Sequence, residues 1–191
     1  MITLIVWAVV VIVILWLVLA YNGLVRTRTQ AQEAWSDIDV QLKRRYDLIP
    51  NLVSTVQGYA AHEKSVFEDV TKARATAMQT GGGASGPTAA KADAENQLSG
   101  ALKSLFAVAE NYPDLKANQN FTQLQGRVSY LESQIADRRE FYNDSVNIYN
   151  IRINEIPDLF VARQLNMQSR ELFKVTEEDK QDVDIKFDLP K

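Results

Sequence analysis

The chain has 191 residues, 46% of them hydrophobic, a formal net charge of −3 and no cysteine. That length supports one domain of ordinary size. The missing thiol excludes disulfides, thiolate metal sites, cysteine nucleophiles and a lipidated cysteine anchor, and the absence of a global basic field argues against nucleic acid as a partner.

The first element is the apolar run Ile2 to Ala20, ITLIVWAVVVIVILWLVLA, in which Thr3 is the one polar residue. As a helix rising about 1.5 Å per residue it spans roughly 28 Å, close to the hydrocarbon thickness of a bilayer. Trp16 and Tyr21 lie toward its downstream end, where amphipathic rings favour the headgroup layer. Val18-Leu19-Ala20 would serve as a signal-peptide cleavage site, but no Lys or Arg precedes Arg26, and the apolar stretch is longer than the about 7 to 15 residues of a secretory signal. The sequence therefore predicts a retained transmembrane anchor over residues 1–23. Arg26, Arg28, Lys43, Arg44 and Arg45 follow it, and the positive-inside rule places the body of the chain in the cytoplasm. The same five residues are the candidates for contact with anionic lipid or a partner.

From Ala31 a stripe of Ala31, Trp35, Ile38, Leu42, Ile49, Leu52, Val56, Ala60, Phe67, Val70 and Ala77 steps by three and four, with gaps at Arg45 and Glu63. This is the spacing of a bundle or coiled-coil seam. Pro50 predicts a kink or short break near Asp47 to Asn51, because it lacks an N–H and crowds the preceding turn. Thr80 to Thr88, TGGGASGPT, reads as a flexible, solvated loop. It has neither the Gly-Lys-Ser/Thr ending of a P-loop nor the preceding strand of a dinucleotide motif.

A second helical stretch carries Leu98, Ala101, Leu102, Leu105, Val108, Ala109 and Tyr112 and ends at Pro113. The longest seam then runs through Phe121, Leu124, Val128, Leu131, Ile135, Tyr142 and Tyr149, with Arg138 and Ser145 at its polar steps, a start within Asn118 to Gln123 and a stop at Pro157. Trp35, Ile38, Leu42, Phe121, Leu124, Leu131 and Ile135 are the expected core. No stretch alternates like a strand. The fold class is therefore all-α: an N-terminal transmembrane helix followed by an antiparallel bundle of long helices over residues 24–173. Residues 174–191, charged and aperiodic, read as an acidic mobile tail.

The search for chemistry returns mostly absences. His62-Glu63 begins like a zinc-protease motif, but Val66 stands where the second histidine is required. A di-iron bundle needs Glu-x-x-His pairs, and Tyr59 precedes the single histidine by three. With no Gly-x-Ser-x-Gly either, the sequence assigns no catalytic, cofactor-binding or metal residue and predicts no enzyme. Asn143, Asn147, Asn150 and Asn154 recur at four, three and four, so their amides are expected to line one helical face and bond to a neighbouring helix.

Three segments, YNGLVRTRTQAQEAWSDIDVQLKRRYDLIPNLVSTVQGYAAHE (21–63), FAVAENYPDLKANQNFTQLQ (106–125) and YNDSVNIYN (142–150), together resemble the LemA family. The resemblance implies a bacterial protein crossing the inner (cytoplasmic) membrane once, with its helical bundle on the cytoplasmic side. It implies little about activity, because the family has no established biochemical function. The resulting expectation is a membrane-anchored scaffold or adaptor without cofactor that touches lipid, binds an unidentified protein partner and forms a homo-oligomer. The alternative is a membrane-remodelling or stress-signalling adaptor that contacts anionic lipid through its juxtamembrane basic residues.

Overall fold

The computed structural model describes residues 1–81 and 86–173; the acidic tail read over 174–191 and the centre of the glycine loop lie outside the described residues. Helix α1, Ile2–Gln57, is one element of 56 residues, about 84 Å long at the helical rise. No cap interrupts it between the apolar run and the bundle, in keeping with the scarcity of helix breakers between Tyr21 and Leu48, so the two portions form one continuous rod. Its most apolar eighteen-residue window has no buried residue, as suits a helix whose neighbour is lipid rather than protein. Burial begins at Ala20 and continues through Leu24, Ala31, Trp35, Ile38 and Leu42 on one face.

The break expected at Pro50 does not occur, because α1 runs through it to Gln57. A helical residue at 50 would donate to the carbonyl of Tyr46, and proline cannot. Arg74 Nε, from the next helix, donates to that carbonyl instead at 2.9 Å. A tertiary contact thus replaces the missing backbone bond.

Helices α2 (Lys64–Gln79) and α3 (Ala89–Ala109) form a hairpin, the short α4 (Pro113–Lys116) turns the chain, and α5 (Gln119–Arg152) returns antiparallel to α1. The side chains of Thr88 and Asn118 cap α3 and α5, accepting from Lys91 N and Phe121 N at 3.2 and 3.1 Å. The α1/α5 pair and the α2/α3 hairpin pack as two layers around Ile38, Leu42, Ile49, Leu52, Leu98, Leu102, Leu105, Phe121, Val128 and Ile135. Of the expected core, Leu124 alone is only partly buried. The polar step of the α5 seam is taken by Arg139 rather than Arg138, which pairs at the surface with Asp37 at 2.8 Å. Among the described residues every regular element is a helix.

A short α6 (Asp158–Gln164) lies against the start of the α1 bundle portion, and residues 165–173 then run back along α5 without helical structure. The downstream end of the glycine loop is not solvated as expected: Gly86 and Pro87 are buried. Gly86 has φ +136°, and any Cβ there would collide with the Tyr142 hydroxyl, so this position needs glycine for both conformation and space.

Candidate functional site

Arg26, Arg28, Lys43 and Arg44 are exposed, whereas Arg45 is 0% exposed and is withdrawn from any lipid or partner surface. It occupies the gap in the apolar stripe of α1 and points between the layers. Its Nη1 donates to Glu132 Oε1 at 2.6 Å and to Ser99 Oγ at 2.9 Å, and its Nη2 pairs with Glu95. Lys91, one turn before Glu95 on α3, reaches Glu95 Oε1 at 2.7 Å, the Tyr46 hydroxyl at 2.8 Å and the Ala77 carbonyl near the end of α2 at 2.7 Å. Tyr46 donates in turn to Glu95, and Ser99 donates to Glu132 at 2.9 Å.

Two cations face two carboxylates, which is how buried charge is tolerated in a bundle interior. Burial, reinforced by the adjacent Glu95, holds the Tyr46 hydroxyl well above the ordinary tyrosine range, so it remains a neutral donor. All four long helices contribute, with α2 doing so through Ala77 and Arg74. The arrangement can lock the two layers in one register; its charged groups face each other rather than an open cleft.

Two of the four candidate asparagines do form a polar row, but their partner is the extended segment after α6, not a helix. Asn150 Nδ2 donates to the Arg170 carbonyl at 2.9 Å while its Oδ1 accepts from Arg170 N at 2.8 Å. Asn143 does the same with Phe173, at 3.0 and 2.7 Å. The preceding tyrosines join in: Tyr149 donates to the Gln168 carbonyl and Tyr142 to the Glu171 carbonyl, both at 3.0 Å.

The repeat has a geometric basis. Seven helical residues rise about 10.5 Å and three extended residues about 10 Å, so Tyr-Asn pairs seven apart on α5 meet backbone groups three apart on the segment. Asn147 is exposed, and Asn154 donates to the carbonyl of Asn150 on its own helix at 2.7 Å. The segment ends with Phe173 buried beside Trp35, ring centroids 6.3 Å apart, under the Arg139 guanidinium at 4.3 Å. Burial pushes the Tyr142 hydroxyl up to about 12, with Arg170 lowering it and Glu171 raising it further.

A half-open cavity of about 650 Å³ lies beside this ladder, lined by Arg28, Thr88, Tyr149, Met167 and Arg170 among others. His62 is exposed. Among the described residues no group of three or more His, Asp or Glu side chains is placed to hold a metal ion.

The family model described as "LemA family" matches residues 34–187, a span that contains both the charged network and the asparagine ladder. Magnetosome protein MamQ 2 of Paramagnetospirillum magneticum is 27% identical over 181 residues, covering 83% of this chain and 66% of that protein. Magnetosome protein MamQ of Magnetospirillum gryphiswaldense is 26% identical, covering 82% and 65%. Protein LemA of Metamycoplasma hominis is 27% identical over 163 residues, covering 85% and 73%. The chain thus spans just under two thirds of the length of the MamQ relatives it matches.

Proposed function

The chain belongs to the LemA family, and from that premise we propose that this membrane-associated helical protein is a non-catalytic scaffold or adaptor, anchored by its first helix and presenting a rigid bundle on the cytoplasmic face of the bacterial inner membrane to protein partners and to copies of itself. The observation that carries the reading is α1, in which a lipid-type apolar run and the central helix of the bundle are one element of 56 residues. A partner bound to the bundle would be held at a set distance along the rod from the bilayer.

Self-association through the span itself has little support. Its small residues are Ala8 and Ala20, which form no small-xxx-small pair, and Ala20 is already buried. The bundle helices would supply the contact, helped by the high local concentration that membrane confinement gives. Crosslinking in intact cells, followed by mass spectrometry of the purified complex, tests for a partner. Mass measurement of the full-length protein in mild detergent, beside a chain starting at Arg26, tests self-association. A full-length species that is monomeric at every accessible concentration and captures no partner would overturn the scaffold reading.

The exposed Lys43 and Arg44 stand about 35 Å along the rod from Ala20 and are placed for a protein partner. The exposure of Arg26 and Arg28, within about two turns of the apolar run, favours a second reading, an adaptor for membrane remodelling or stress signalling that grips anionic lipid. It requires salt-sensitive binding of the bundle to anionic vesicles, whereas a protein scaffold requires co-purification indifferent to lipid charge.

A further inference from the structure

The corner between α5 and α6 lies beside the point where the apolar run of α1 ends. Leu24, one turn past Ala20, packs with Tyr149 of α5, Ile153 just past its end and Ala162 of α6, and Ala20 itself is only 4% exposed. At this level the outer face of the corner is apolar: Ile156 is 75% exposed and Phe160 63%, with Ile151 of α5 and Tyr21 of α1 each 48%. Single exposed apolar side chains are ordinary on a soluble surface. Two large ones on adjoining turns, level with the end of a lipid-facing helix, are placed where the headgroup layer would be. The polar groups of the corner are arranged compatibly. Arg152 is paired with Asp158 at 2.7 Å, while Arg26, Arg28 and Arg163 are exposed around it.

We infer that the α5–α6 corner is a second membrane contact, with Ile156 and Phe160 embedded in the interfacial layer of the leaflet from which the bundle emerges. This rests on reading residues 2–20 as a membrane span. A bundle held by one helix is free to rotate about that helix. A second contact on one side of α1 fixes which face of the bundle is turned toward the bilayer, and so which faces remain open to partners. The occupant is lipid because the corner is continuous with the lipid-facing surface of α1.

The cysteine-free sequence allows single spin labels at Ile12→Cys, His62→Cys, Ile156→Cys and Phe160→Cys in the full-length protein. Vesicles of phosphatidylcholine and phosphatidylglycerol supply the membrane, and collision with oxygen or a water-soluble nickel chelate reports depth. All four sites are exposed, so substitution leaves the core intact. The label at position 12 should favour oxygen and the one at 62, beyond the far end of α1, should favour nickel. Labels at 156 and 160 should be oxygen-accessible and several-fold protected from nickel relative to 62. Nickel access at 156 and 160 equal to that at 62 would overturn the inference, and so would protection from both reagents, which signals a covering protein. A nickel-accessible label at position 12 would instead overturn the anchor itself, and the corner contact with it.

Discussion

The two polar regions of the bundle solve the same problem in opposite ways. At mid-height, the buried Arg45, Lys91 and Glu95, with Glu132 at the rim, tie the layers together with full charges. Nearer the membrane, Asn143 and Asn150 tie an extended segment to α5 with neutral amides and backbone groups. Charges in a dry interior are costly unless every partner is present, so the first region is intolerant of loss and particular about residue type. Amide-to-backbone bonds do not depend on which side chains the segment carries, and each contributes modestly. The first region specifies how helices pair, and the second specifies the register of a strap.

The largest effect should come from stranding a charge. Arg45→Met leaves Glu95 and Glu132 without their shared cation and should cost about 3 to 5 kcal/mol of unfolding free energy. Denaturant midpoints in mild detergent measure it. Arg45→Met combined with Glu132→Gln leaves Lys91 paired with Glu95 and removes the carboxylate that lost its cation, and should recover a large part of the loss. A single variant as stable as the parent would show that the network lacks the role assigned to it.

Arg45 also shows what the sequence made legible and what it hid. The periodicity of the stripe locates the helices and most of the core, because burial on one face imposes the helical repeat whatever the tertiary partner. Arg45 is in phase with Leu42 and Ile49, and a base at a seam position implies an internal carboxylate partner. Its place among the basic residues that follow the apolar run points the other way, to lipid or a partner, and sequence alone weighs the two signals equally. Arg139 and Arg138 differ by one step of the same kind. The strap could not be located by periodicity, since an extended segment without alternation has none. The signal was on its host, in two Tyr-Asn pairs seven residues apart, but the identity of the partner depended on where the chain turned after α6.

The ladder predicts smaller losses than the network. Asn150→Ala removes both bonds to Arg170 and should cost about 1 to 3 kcal/mol, with Asn143→Ala similar through Phe173. The loss should be local: amide exchange at Arg170 and Phe173 should accelerate many-fold while that of the α3 core around Leu98 and Leu102 changes little. Uniform acceleration across the bundle would mean that strap and core unfold together, erasing the distinction between the two regions.

Alkaline titration separates them with a milder perturbation. The Tyr46 and Tyr142 hydroxyls are both held above the ordinary tyrosine value of 10.0, Tyr142 at about 12. The folded state therefore keeps these protons where the unfolded chain releases them, so their contribution is complete below pH 10 and is lost as pH rises through the folded values. Absorbance of tyrosinate should show both lagging behind the ordinary tyrosine value of 10.0. Tyr142→Phe should remove the lag near pH 12, and Tyr46→Phe should remove the other. If every tyrosine titrated together near pH 10 while the helices remained folded, neither hydroxyl would be enclosed as described.

Asn147→Ala should have the smallest effect, and the comparison depends on it. Asn147 belongs to the same sequence row as Asn143 and Asn150 but is exposed: at 3.6 residues per turn it is offset by about 40° from Asn143 and about 60° from Asn150, on the solvent side of the line the strap follows. A substitution on that outer face should change stability by no more than about 0.5 kcal/mol and leave amide exchange at Arg170 and Phe173 unaltered. If the ladder works through the match between seven helical and three extended residues, only the positions seven apart can matter. A loss at Asn147 equal to that at Asn150 would show instead that the row acts as one polar surface, engaged by something outside the chain.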